Sequence, residues 1–377
     1  MRLCAFAGEI SQSVLVCELE TPAVVVDLDV MDHNLSRMAN YCREHQLRLR
    51  PHTKTHKIPE LAKRQLAGGA TGITVAKLGE AEVMLNAGIT DILIAYPIVG
   101  PQKVARLAQI AERANITVSL DSEEAARVIS AGASKHGTKI GILTELDVGF
   151  GRCGVRDEVE LLALAKKIVS LPALEFKGVM FFPGHFGVDP DERSALRNQV
   201  NSLLDRVHEA FRREGLPLSV VSGGSTPAAY ESHLFHGVNE IRPGTYIFND
   251  RNTVGVSAAE LSECALSVLV TVVSTSVSGR AMIDGGSKTF SSDRYQADDG
   301  TGFGLVKEDP AAEIERLSEE HGHLNIQRSS RRYRVGERLS VIPNHVCSTV
   351  NMHDEIYGVR GEQVECVWRV EGRGKVK

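Results

Sequence analysis

Residues 47–57 read LRLRPHTKTHK, and this stretch places a candidate nucleophile at the end of a candidate strand. The alternating leucines and arginines predict a short β-strand, and His52, Lys54 and His56 follow at a spacing of two. If the extended backbone continues, these three side chains share one face. A lysine that faces a barrel interior is costly unless it is paired or used covalently, and adjacent imidazoles would favour its neutral, nucleophilic amine. A surface lysine in a basic loop is the alternative.

Outward from this stretch, strand-like and helix-like segments alternate from about residue 20 to about residue 250. Segments such as LGEAEVMLNAG (78–88) have helical spacing and end near Gly or Asn. The candidate strands are residues 23–29, 47–52, 72–76, 91–95, 116–121, 139–147, 176–182, 219–224 and 240–248. Strict alternation predicts an α/β protein with a parallel sheet and right-handed crossovers. The last eight strands fit a closed, TIM-type (β/α)8 barrel, and the first strand is left outside it.

The pattern changes after about residue 255, where helical spacing becomes rare. Four segments are strand-like: residues 265–277, 279–286, 337–343 and 362–372. Between them, AAEIERLSEE (311–320) is the one pattern that predicts a helix. We therefore expect a second, mostly β domain at the C-terminal end of the chain.

Composition and charge exclude several classes of protein. The chain has 377 residues, of which 42% are hydrophobic, and a formal net charge of −5. It contains neither a basic nucleic-acid footprint nor an apolar run of 18 residues, so we expect no nucleic-acid partner and no membrane span. Seven cysteines without a C-x-x-C pair indicate free thiols in a reducing cytoplasm, and the N-terminus lacks the features of a signal peptide.

Two glycine-containing segments lie where a barrel would bind phosphate. SGGST (222–226) follows the seventh barrel strand, and RPGTY (242–246) lies in the eighth. The backbone at these two strand ends commonly holds a phosphate group. Together with a lysine that can form a Schiff base, these segments predict pyridoxal 5′-phosphate as the cofactor.

Five motifs occur in a characteristic order: RPHTKTHK (50–57), DVGFGRCGV (147–155), SGGSTP (222–227), RPGTYIF (242–248) and PNHVCSTVNMHDE (343–355). In this order they resemble the D-threonine aldolase/D-serine dehydratase family of fold-type III pyridoxal-phosphate enzymes, which is related to alanine racemase. The resemblance extends from about residue 20 to the end of the chain. It implies that Lys54 binds the cofactor covalently and that Arg152 contacts its phenolic oxygen. The residues implied on the phosphate side are Ser222, Gly223, Gly224, Ser225, Gly244 and Tyr246.

Arg242 has two interpretations. In alanine racemase an arginine at this place contacts the pyridine nitrogen, and Arg242, Gly244 and Tyr246 would share one face of an extended strand. A salt-bridged strand residue is the alternative.

In the racemase relatives the first extended segment belongs with the β domain. The resemblance thus implies a barrel domain at residues 25–255 and a β domain at residues 256–377 that includes the strand within residues 1–30.

His345 and Cys347, in NHVCS, stand two residues apart, so an extended backbone would direct both side chains to one face. A buried cysteine beside a hydrogen-bonded histidine is the alternative. The resemblance implies a divalent metal at this pair, because dehydratases of the family carry His-x-Cys whereas its aldolases carry His-x-Asp. A thiolate favours zinc, and manganese or magnesium are further options.

Four further side chains are candidates for acid–base or supporting roles. His185 lies in MFFPGHFG, where the chain departs from the family pattern, and His321 lies in SEEHGH. His353 and Asp354 follow the metal pair. We take His185 and His321 as candidate catalytic residues. A helix cap is the alternative for His185, and a solvated loop is the alternative for the other three.

These observations predict a lyase that acts on β-hydroxy D-amino acids through pyridoxal phosphate and a divalent metal. The His-x-Cys pair favours a dehydratase for D-serine or D-threo-3-hydroxyaspartate, which forms a keto acid and ammonia. A D-threonine aldolase, which forms glycine and an aldehyde, is the alternative. Two other rivals are an amino-acid racemase, with Tyr357 as its second acid–base group, and a non-catalytic pyridoxal-phosphate-binding protein. The resemblance also implies a homodimer.

Overall fold

The computed structural model describes residues 14–297 and 300–377, and the chain divides into two compact units. The barrel unit consists of Met38–Lys54, Leu61–Gly244 and Lys375–Lys377. The sheet unit consists of the described residues up to Arg37, Thr55–Glu60 and Thr245–Gly374. One division therefore falls directly after Lys54 in the chain.

Strand β1 (Ala23–Asp27) lies in the sheet unit, and the next eight strands form the barrel. They are β2 (Arg48–Leu49), β3 (Ile73–Val75), β4 (Asp91–Ile94), β5 (Asn115–Leu120), β6 (Ile140–Leu146), β7 (Leu174–Phe181), β8 (Val220–Gly223) and β9 (Glu240–Ile241). Neighbouring strands pair in parallel in the order β2-β9-β8-β7-β6-β5-β4-β3. A parallel bridge between His52 and Thr74 closes the ring. The predicted (β/α)8 barrel with one strand outside it is confirmed.

The described residues contain ten α-helices. They are α1 (Leu28–Glu44), α2 (Pro59–Ala67), α3 (Leu78–Asn86), α4 (Pro101–Ala111), α5 (Glu123–His136), α6 (Glu158–Ser170), α7 (Pro190–Arg213), α8 (Arg251–Gly255), α9 (Ser287–Phe290) and α10 (Val346–Val350). Short 3-10 helices occur at Val16–Glu18, Thr53–Thr55, Ala229–Leu234, Thr245–Ile247 and Leu261–Glu263. None of the ten α-helices is long and apolar enough to cross a membrane.

Local sequence sets the ends of the barrel helices. At the start of α5, the Ser122 side chain accepts a hydrogen bond from the N–H of Ala125. At its end, Gly137 adopts φ = 65°, the left-handed conformation that closes a helix. Between such helices, all seven residues of β6 are buried, because helices cover a parallel barrel strand on one side and other strands cover it on the other.

Nine strands form the main sheet of the sheet unit in the part of the chain that the structure describes, and two more form a separate hairpin. Beyond β1 they are β10 (Leu266–Ser274), β11 (Arg280–Ile283), β12 (Tyr295–Ala297), β13 (Gly300–Gly302), β14 (Leu305–Val306), β15 (Glu313–Leu317), β16 (Gly322–Asn325), β17 (Arg338–Ile342), β18 (Glu355–Arg360) and β19 (Gln363–Arg369). β12 and β13 form the hairpin. β1 lies between β10, which is antiparallel to it, and β18, which is parallel to it. The expected mostly β C-terminal domain is present, and β1 belongs to its sheet.

The predicted helix at residues 311–320 is wrong. Glu313–Leu317 form β15, which pairs with β16 so that Ile314 lies opposite Leu324. Both of these side chains are fully buried. The charged, helix-favouring residues of β15 lie at partly or fully exposed positions. Strand pairing and burial of the aliphatic side chains therefore outweigh the intrinsic preference of the charged residues.

Candidate active site

Lys54 lies in a tight turn that follows β2 at the C-terminal end of the barrel. Thr53–Thr55 form a single 3-10 turn, so the expectation that residues 52, 54 and 56 share one extended face is wrong. The two histidines shape the backbone instead. His52 Nδ1 accepts a hydrogen bond from the N–H of Lys54 at 3.4 Å, and His56 Nδ1 accepts one from the N–H of Ile58 at 3.0 Å. Each ring therefore binds the backbone two residues further along the chain.

Positive charges surround His52 in the barrel unit. Desolvation lowers the pKa of His52 well below its ordinary value, and the charges of Lys54 and Arg242 lower it further. The ring is therefore neutral, which agrees with the role of its Nδ1 as an acceptor. Thr53 Oγ1 donates to the carbonyl of Thr74 at 3.1 Å and so ties the turn to β3. The Lys54 amine thus projects from a fixed turn beside a neutral ring.

Glycines are required at the end of β8, where phosphate binding is expected. A Cβ on Gly223 would lie 2.5 Å from the ring of the fully buried Phe181, so no side chain fits there. Gly224 adopts φ = 86°, which residues with a Cβ rarely do. The hydroxyl of the buried Ser225 donates to the carbonyl of Pro183 at 2.9 Å. Contact of Ser225 with a phosphate is therefore expected from its backbone N–H rather than from its hydroxyl.

Ser222 and Arg242 belong to a buried polar network of the barrel. Ser222 Oγ donates to Glu240 Oε1 at 2.7 Å and accepts from Arg242 Nη1 at 2.6 Å. Arg242 Nη2 donates to the carbonyl of Phe181 at 2.8 Å, and Glu240 accepts from Arg50 Nε at 2.9 Å. Burial lowers the pKa of Arg242 to about 10, against the opposing effect of Glu240. Arg242 thus has the contacts of a structural arginine at the end of β9, and its contact with a pyridine nitrogen stays a prediction.

The predicted alternation of Arg242, Gly244 and Tyr246 on an extended strand is wrong. β9 ends at Ile241, and Thr245–Ile247 form a 3-10 helix directly after Gly244. Tyr246 is buried within that helix. The strand ends early because a proline follows Arg242, and a proline has no N–H to donate to the ladder.

Arg152 and His185 lie on the loops after β6 and β7, in a cluster with two phenylalanines. The Arg152 guanidinium carbon lies 4.4 Å from the ring centre of Phe182 and 5.5 Å from that of Phe150. The His185 ring stacks on Phe150 with their centres 6.0 Å apart, and its buried Nδ1 has no hydrogen-bond partner among the described residues. Arg152 Nη2 lies 3.9 Å from Oε1 of the buried Glu145. The cluster therefore combines a cation with an unpaired ring nitrogen at the end of the barrel where enzymes of this fold bind ligands.

His345 and Cys347 meet at the start of α10 in the sheet unit. His345 is the N-cap residue and Cys347 lies in the first turn, so the extended arrangement expected for this pair is wrong. The side chains are nevertheless hydrogen-bonded to each other. Burial lowers the pKa of His345, but its hydrogen bonds to Asp250 and Cys347 outweigh that effect and raise the pKa to about 11. Cys347 Sγ also donates to Thr55 Oγ1 at 3.3 Å.

Asp250 is the neighbour of this pair that sequence reasoning missed. It is fully buried at the N-cap of α8, and its Oδ2 lies 3.5 Å from His345 Nδ1. The Asp-x-x-Thr spacing of a capping box, at residues 250–253, was the available signal. That signal predicts the start of a helix, and it carries no information about a histidine 95 residues further along the chain.

The other candidate histidines of the sheet unit differ in their surroundings. His321 is exposed in the turn between β15 and β16, and a catalytic role for it stays a prediction. His353 Nε2 donates to the carbonyl of Thr289 at 3.1 Å, and burial lowers the pKa of its ring. The exposed Asp354 accepts from Arg373 Nη1 at 2.7 Å. His353 and Asp354 therefore have structural partners of their own.

Comparisons with known proteins identify both parts of the chain. A model of the alanine racemase N-terminal domain matches residues 26–252, and a model of a serine dehydratase domain matches residues 265–359. The 3-hydroxy-D-aspartate aldolase of Paracoccus denitrificans (strain Pd 1222) is 33% identical over 370 residues, which cover 95% of this chain and 93% of that protein. The D-threo-3-hydroxyaspartate dehydratase of Delftia sp. (strain HT23) is 35% identical over 351 residues, which cover 88% of this chain and 92% of that protein. The chain belongs to the D-threonine aldolase/D-serine dehydratase family.

Solved structures of similar proteins agree with this assignment. The crystal structure of D-threonine aldolase from Filomicrobium marinum matches with a TM-score of 0.90 and 34% identity, over 97% of this chain and 99% of that one. A cysteine-to-alanine mutant of D-threo-3-hydroxyaspartate dehydratase, solved in a metal-free form, matches with a TM-score of 0.87 and 31% identity over 94% of this chain and 98% of that one. As a member of the D-threonine aldolase/D-serine dehydratase family, the chain is a lyase of the pyridoxal-phosphate-dependent type.

The side chains of the barrel unit fit the cofactor of the D-threonine aldolase/D-serine dehydratase family. Lys54 supplies a primary amine at the C-terminal end of a barrel strand, as a Schiff base requires. Gly223 and Gly224 leave the backbone at the end of β8 free of Cβ atoms, and Arg152 supplies a cation for an anionic oxygen. The donor set therefore suits an anionic aldehyde such as pyridoxal phosphate.

The side chains at the start of α10 fit a metal ion with open coordination positions. An imidazole and a thiol in mutual contact can share one divalent cation once both are deprotonated. Within residues 14–297 and 300–377, no group of three or more His, Cys, Asp and Glu side chains is arranged to hold a metal. The pair His345 and Cys347 therefore offers two protein ligands, an arrangement that suits catalysis better than a closed structural site.

Proposed function

We propose that the protein eliminates water from a β-hydroxy D-amino acid of the D-threo-3-hydroxyaspartate or D-serine class and forms a keto acid and ammonia. The reaction would use pyridoxal 5′-phosphate on Lys54 and a divalent metal on His345 and Cys347. The contact between the His345 imidazole and the Cys347 thiol carries the proposal. A thiolate with an imidazole suits a zinc-type Lewis acid, whereas an oxygen-rich pair suits manganese.

Pyridoxal phosphate, when bound, withdraws electrons from the substrate α-carbon and makes its proton acidic. Lys54 would hold the cofactor through its amine, and the same amine, once free, would accept the α-proton of the substrate. His52 fixes the backbone of Lys54 and stays neutral beside it. Arg152 and the backbone of residues 223–225 would bind the anionic oxygens of the cofactor.

His345 and Cys347 would hold the ion, and the ion would polarise the substrate β-hydroxyl. Zinc is preferred, because a thiolate is a soft ligand, and manganese or magnesium are the weaker options. The side chain of His345 keeps 38% of its surface exposed, which gives the ion and the substrate access to the ring. Departure of the hydroxyl group as hydroxide would leave an enamine, and hydrolysis of its imine tautomer by water would give the keto acid and ammonia.

A D-threonine-type aldolase is the second candidate, because the two aldolases compared above resemble the chain over nearly its whole length. Aldol cleavage requires a base that removes the β-hydroxyl proton, after which the Cα–Cβ bond breaks and glycine and an aldehyde form. His185 offers an unpaired Nδ1 for this role, whereas His321 is an exposed turn residue.

An amino-acid racemase is the weaker alternative. Its second acid–base group would be Tyr357, which donates its hydroxyl proton to Glu355 at 2.5 Å. Burial and the hydrogen bond to Glu355 raise the pKa of Tyr357 to about 12. A tyrosine with so high a pKa rarely loses its proton near neutral pH, so it is a poor base for racemisation.

Product analysis tests the proposal. The purified protein is freed of metal and incubated with D-serine, D-threonine or D-threo-3-hydroxyaspartate, with and without zinc or manganese. We expect equal amounts of keto acid and ammonia, formed only with the ion present. Glycine and an aldehyde as main products would support the aldolase instead. In Cys347→Asp, the oxygen-donor pair should retain a metal, prefer manganese and raise the ratio of glycine to keto acid.

The proposed location and assembly are a cytoplasmic homodimer. Six cysteines among the described residues are free, which supports a reducing compartment. The family resemblance supports the homodimer, because fold-type III enzymes build each active site from a barrel and the β domain of the other subunit. Most soluble homo-oligomers are closed and symmetric, and a twofold dimer is the commonest form.

A further inference from the structure

We propose that Asp250 is the positioning residue of the metal site and that its carboxylate holds the His345 ring so that Nε2, and not Nδ1, binds the ion. The inference rests on the proposed metal-dependent function. It concerns a residue that contacts a ligand of the ion rather than the ion itself.

The Asp250 carboxylate has a fixed orientation. It is fully buried, Oδ1 accepts from the N–H of Thr253 at 2.9 Å, and Oδ2 accepts from the N–H of Val346 at 3.0 Å. The N–H of Asp250 itself donates to Thr253 Oγ1 at 2.8 Å, which completes the capping box of α8. Since backbone groups bind both oxygens, the carboxylate cannot rotate without breaking one of these bonds.

The same carboxylate faces the histidine of the metal pair. Its Oδ2 lies 3.5 Å from His345 Nδ1, and the N–H that binds this oxygen belongs to Val346, the next residue. Two backbone hydrogen bonds join residues 251–252 to residues 343–344, at 3.1 and 3.2 Å. Three hydrogen bonds therefore connect the start of α8 to the turn that contains His345.

A carboxylate beside one ring nitrogen decides which nitrogen carries the proton. An ionised carboxylate accepts hydrogen bonds and donates none, so it favours the imidazole form with the proton on Nδ1. The lone pair of Nε2 is then free for a metal. Histidine ligands in proteins usually have such a partner, and its removal typically lowers metal affinity about 10- to 100-fold.

Two substitutions separate this role from simple helix capping. In Asp250→Asn, an amide that keeps its oxygen toward Thr253 places its NH2 group where Oδ2 accepts from the N–H of Val346. That backbone bond is then lost, and the NH2 group faces His345 Nδ1 and favours the form with the proton on Nε2. In Asp250→Ser, the hydroxyl can still cap the N–H of Thr253, as serine does at many N-caps, but no second oxygen reaches His345. Asp293→Asn is the matched control, since Asp293 accepts from Ser348 on α10 at 2.5 Å and makes the same change of carboxylate to amide.

Zinc affinity of the full-length protein is measured by competition with a chromophoric chelator, and the melting temperature of each metal-free protein is recorded alongside. We expect the dissociation constant to rise about 10- to 100-fold in Asp250→Asn and Asp250→Ser, and to stay within about twofold in Asp293→Asn. When cobalt replaces zinc, its ligand-field bands should differ between the wild type and the two Asp250 variants. If Asp250 had a purely structural role, the protein molecules that still bind cobalt would show the wild-type bands. If Asp250→Asn does not fold, the capped Asp250→Ser protein supplies the same comparison.

Wild-type affinity and an unchanged cobalt spectrum in the folded Asp250 variants would overturn the role of Asp250 and leave the metal site standing. A wild-type protein that binds no zinc or cobalt would overturn the metal site and the role of Asp250 together. The two failures are thus distinguishable in one set of measurements.

Discussion

Lys54 owes its position to hydrogen bonds between ring nitrogens and backbone N–H groups, and these bonds explain the spacing of the two histidines around it. Each imidazole accepts from the N–H two residues further along, as Asn and Asp side chains do in Asx-turns. The sequence pattern pointed to a lysine between two rings. It could not reveal that the rings bind the backbone, because that depends on the local dihedral angles rather than on the residue types.

Replacement of Lys54 by alanine should abolish covalent binding of the cofactor. Borohydride reduction and peptide mapping should locate the reduced cofactor on Lys54 in the wild type and on no lysine in the variant. Lys57→Met is the control, because the Lys57 amine lies three residues away in the sequence and donates to Asn351 at 2.7 Å. This control should retain the adduct. A reduced adduct on another lysine of the Lys54→Ala protein would refute the assignment.

The neutral ring of His52 should make the protein less stable in acid. Its pKa is lowered in the folded protein, so below the ordinary histidine value of about 6.5 the unfolded chain binds a proton that the folded one does not. As the pH decreases below that value, His52 alone should lower the free energy of unfolding by up to about 1.4 kcal/mol per pH unit. In His52→Asn, which can keep the hydrogen bond to the N–H of Lys54, the fall should be shallower. Urea unfolding at several pH values between 5 and 8 measures the free energy of unfolding of both proteins. If that free energy depends on pH in the same way in the wild type and in His52→Asn, the neutral His52 ring is not the cause.

At the scale of elements, the barrel was predictable because its signals are local. Each strand is a short aliphatic run, and helices such as α5 carry their own start and stop residues. The predictions from sequence were wrong where a residue far away in the chain determines the local secondary structure. β15 is a strand because β16 pairs with it. α10 starts at Val346, and the N–H of Val346 donates a hydrogen bond to Asp250, which lies 96 residues earlier in the chain. No pattern within either segment contains that information.

The end of β8 should tolerate no side chain at Gly223. Because a Cβ there would lie 2.5 Å from the ring of Phe181, Gly223→Ala should destabilise the protein by about 1–3 kcal/mol and weaken retention of the cofactor. Gly137→Ala is the control. Its Cβ would meet nothing within 4 Å, so it should cost only about 1 kcal/mol for the left-handed backbone. Thermal unfolding and cofactor content after gel filtration measure both effects, and equal behaviour of the two variants would argue against a packed phosphate-side turn.

At the scale of the whole molecule, we expect two chains per particle. Light scattering after gel filtration should give twice the 41.0 kDa of one chain. Dilution to nanomolar concentration should reduce the specific activity if each active site needs both subunits. A particle of one chain that is fully active at micromolar protein would be incompatible with the proposed dimer.

The central claim is that one lyase reaction requires both the cofactor on Lys54 and an ion on His345 and Cys347. The most direct measurement follows keto acid and ammonia from D-threo-3-hydroxyaspartate with protein that has been stripped of metal but retains its cofactor absorbance. Because the cofactor and ion ligands are different side chains, removal of the ion should abolish turnover and leave the absorbance intact, and added zinc should restore the activity. Undiminished turnover in the stripped protein, or in Cys347→Ala with chelator present, would contradict the account.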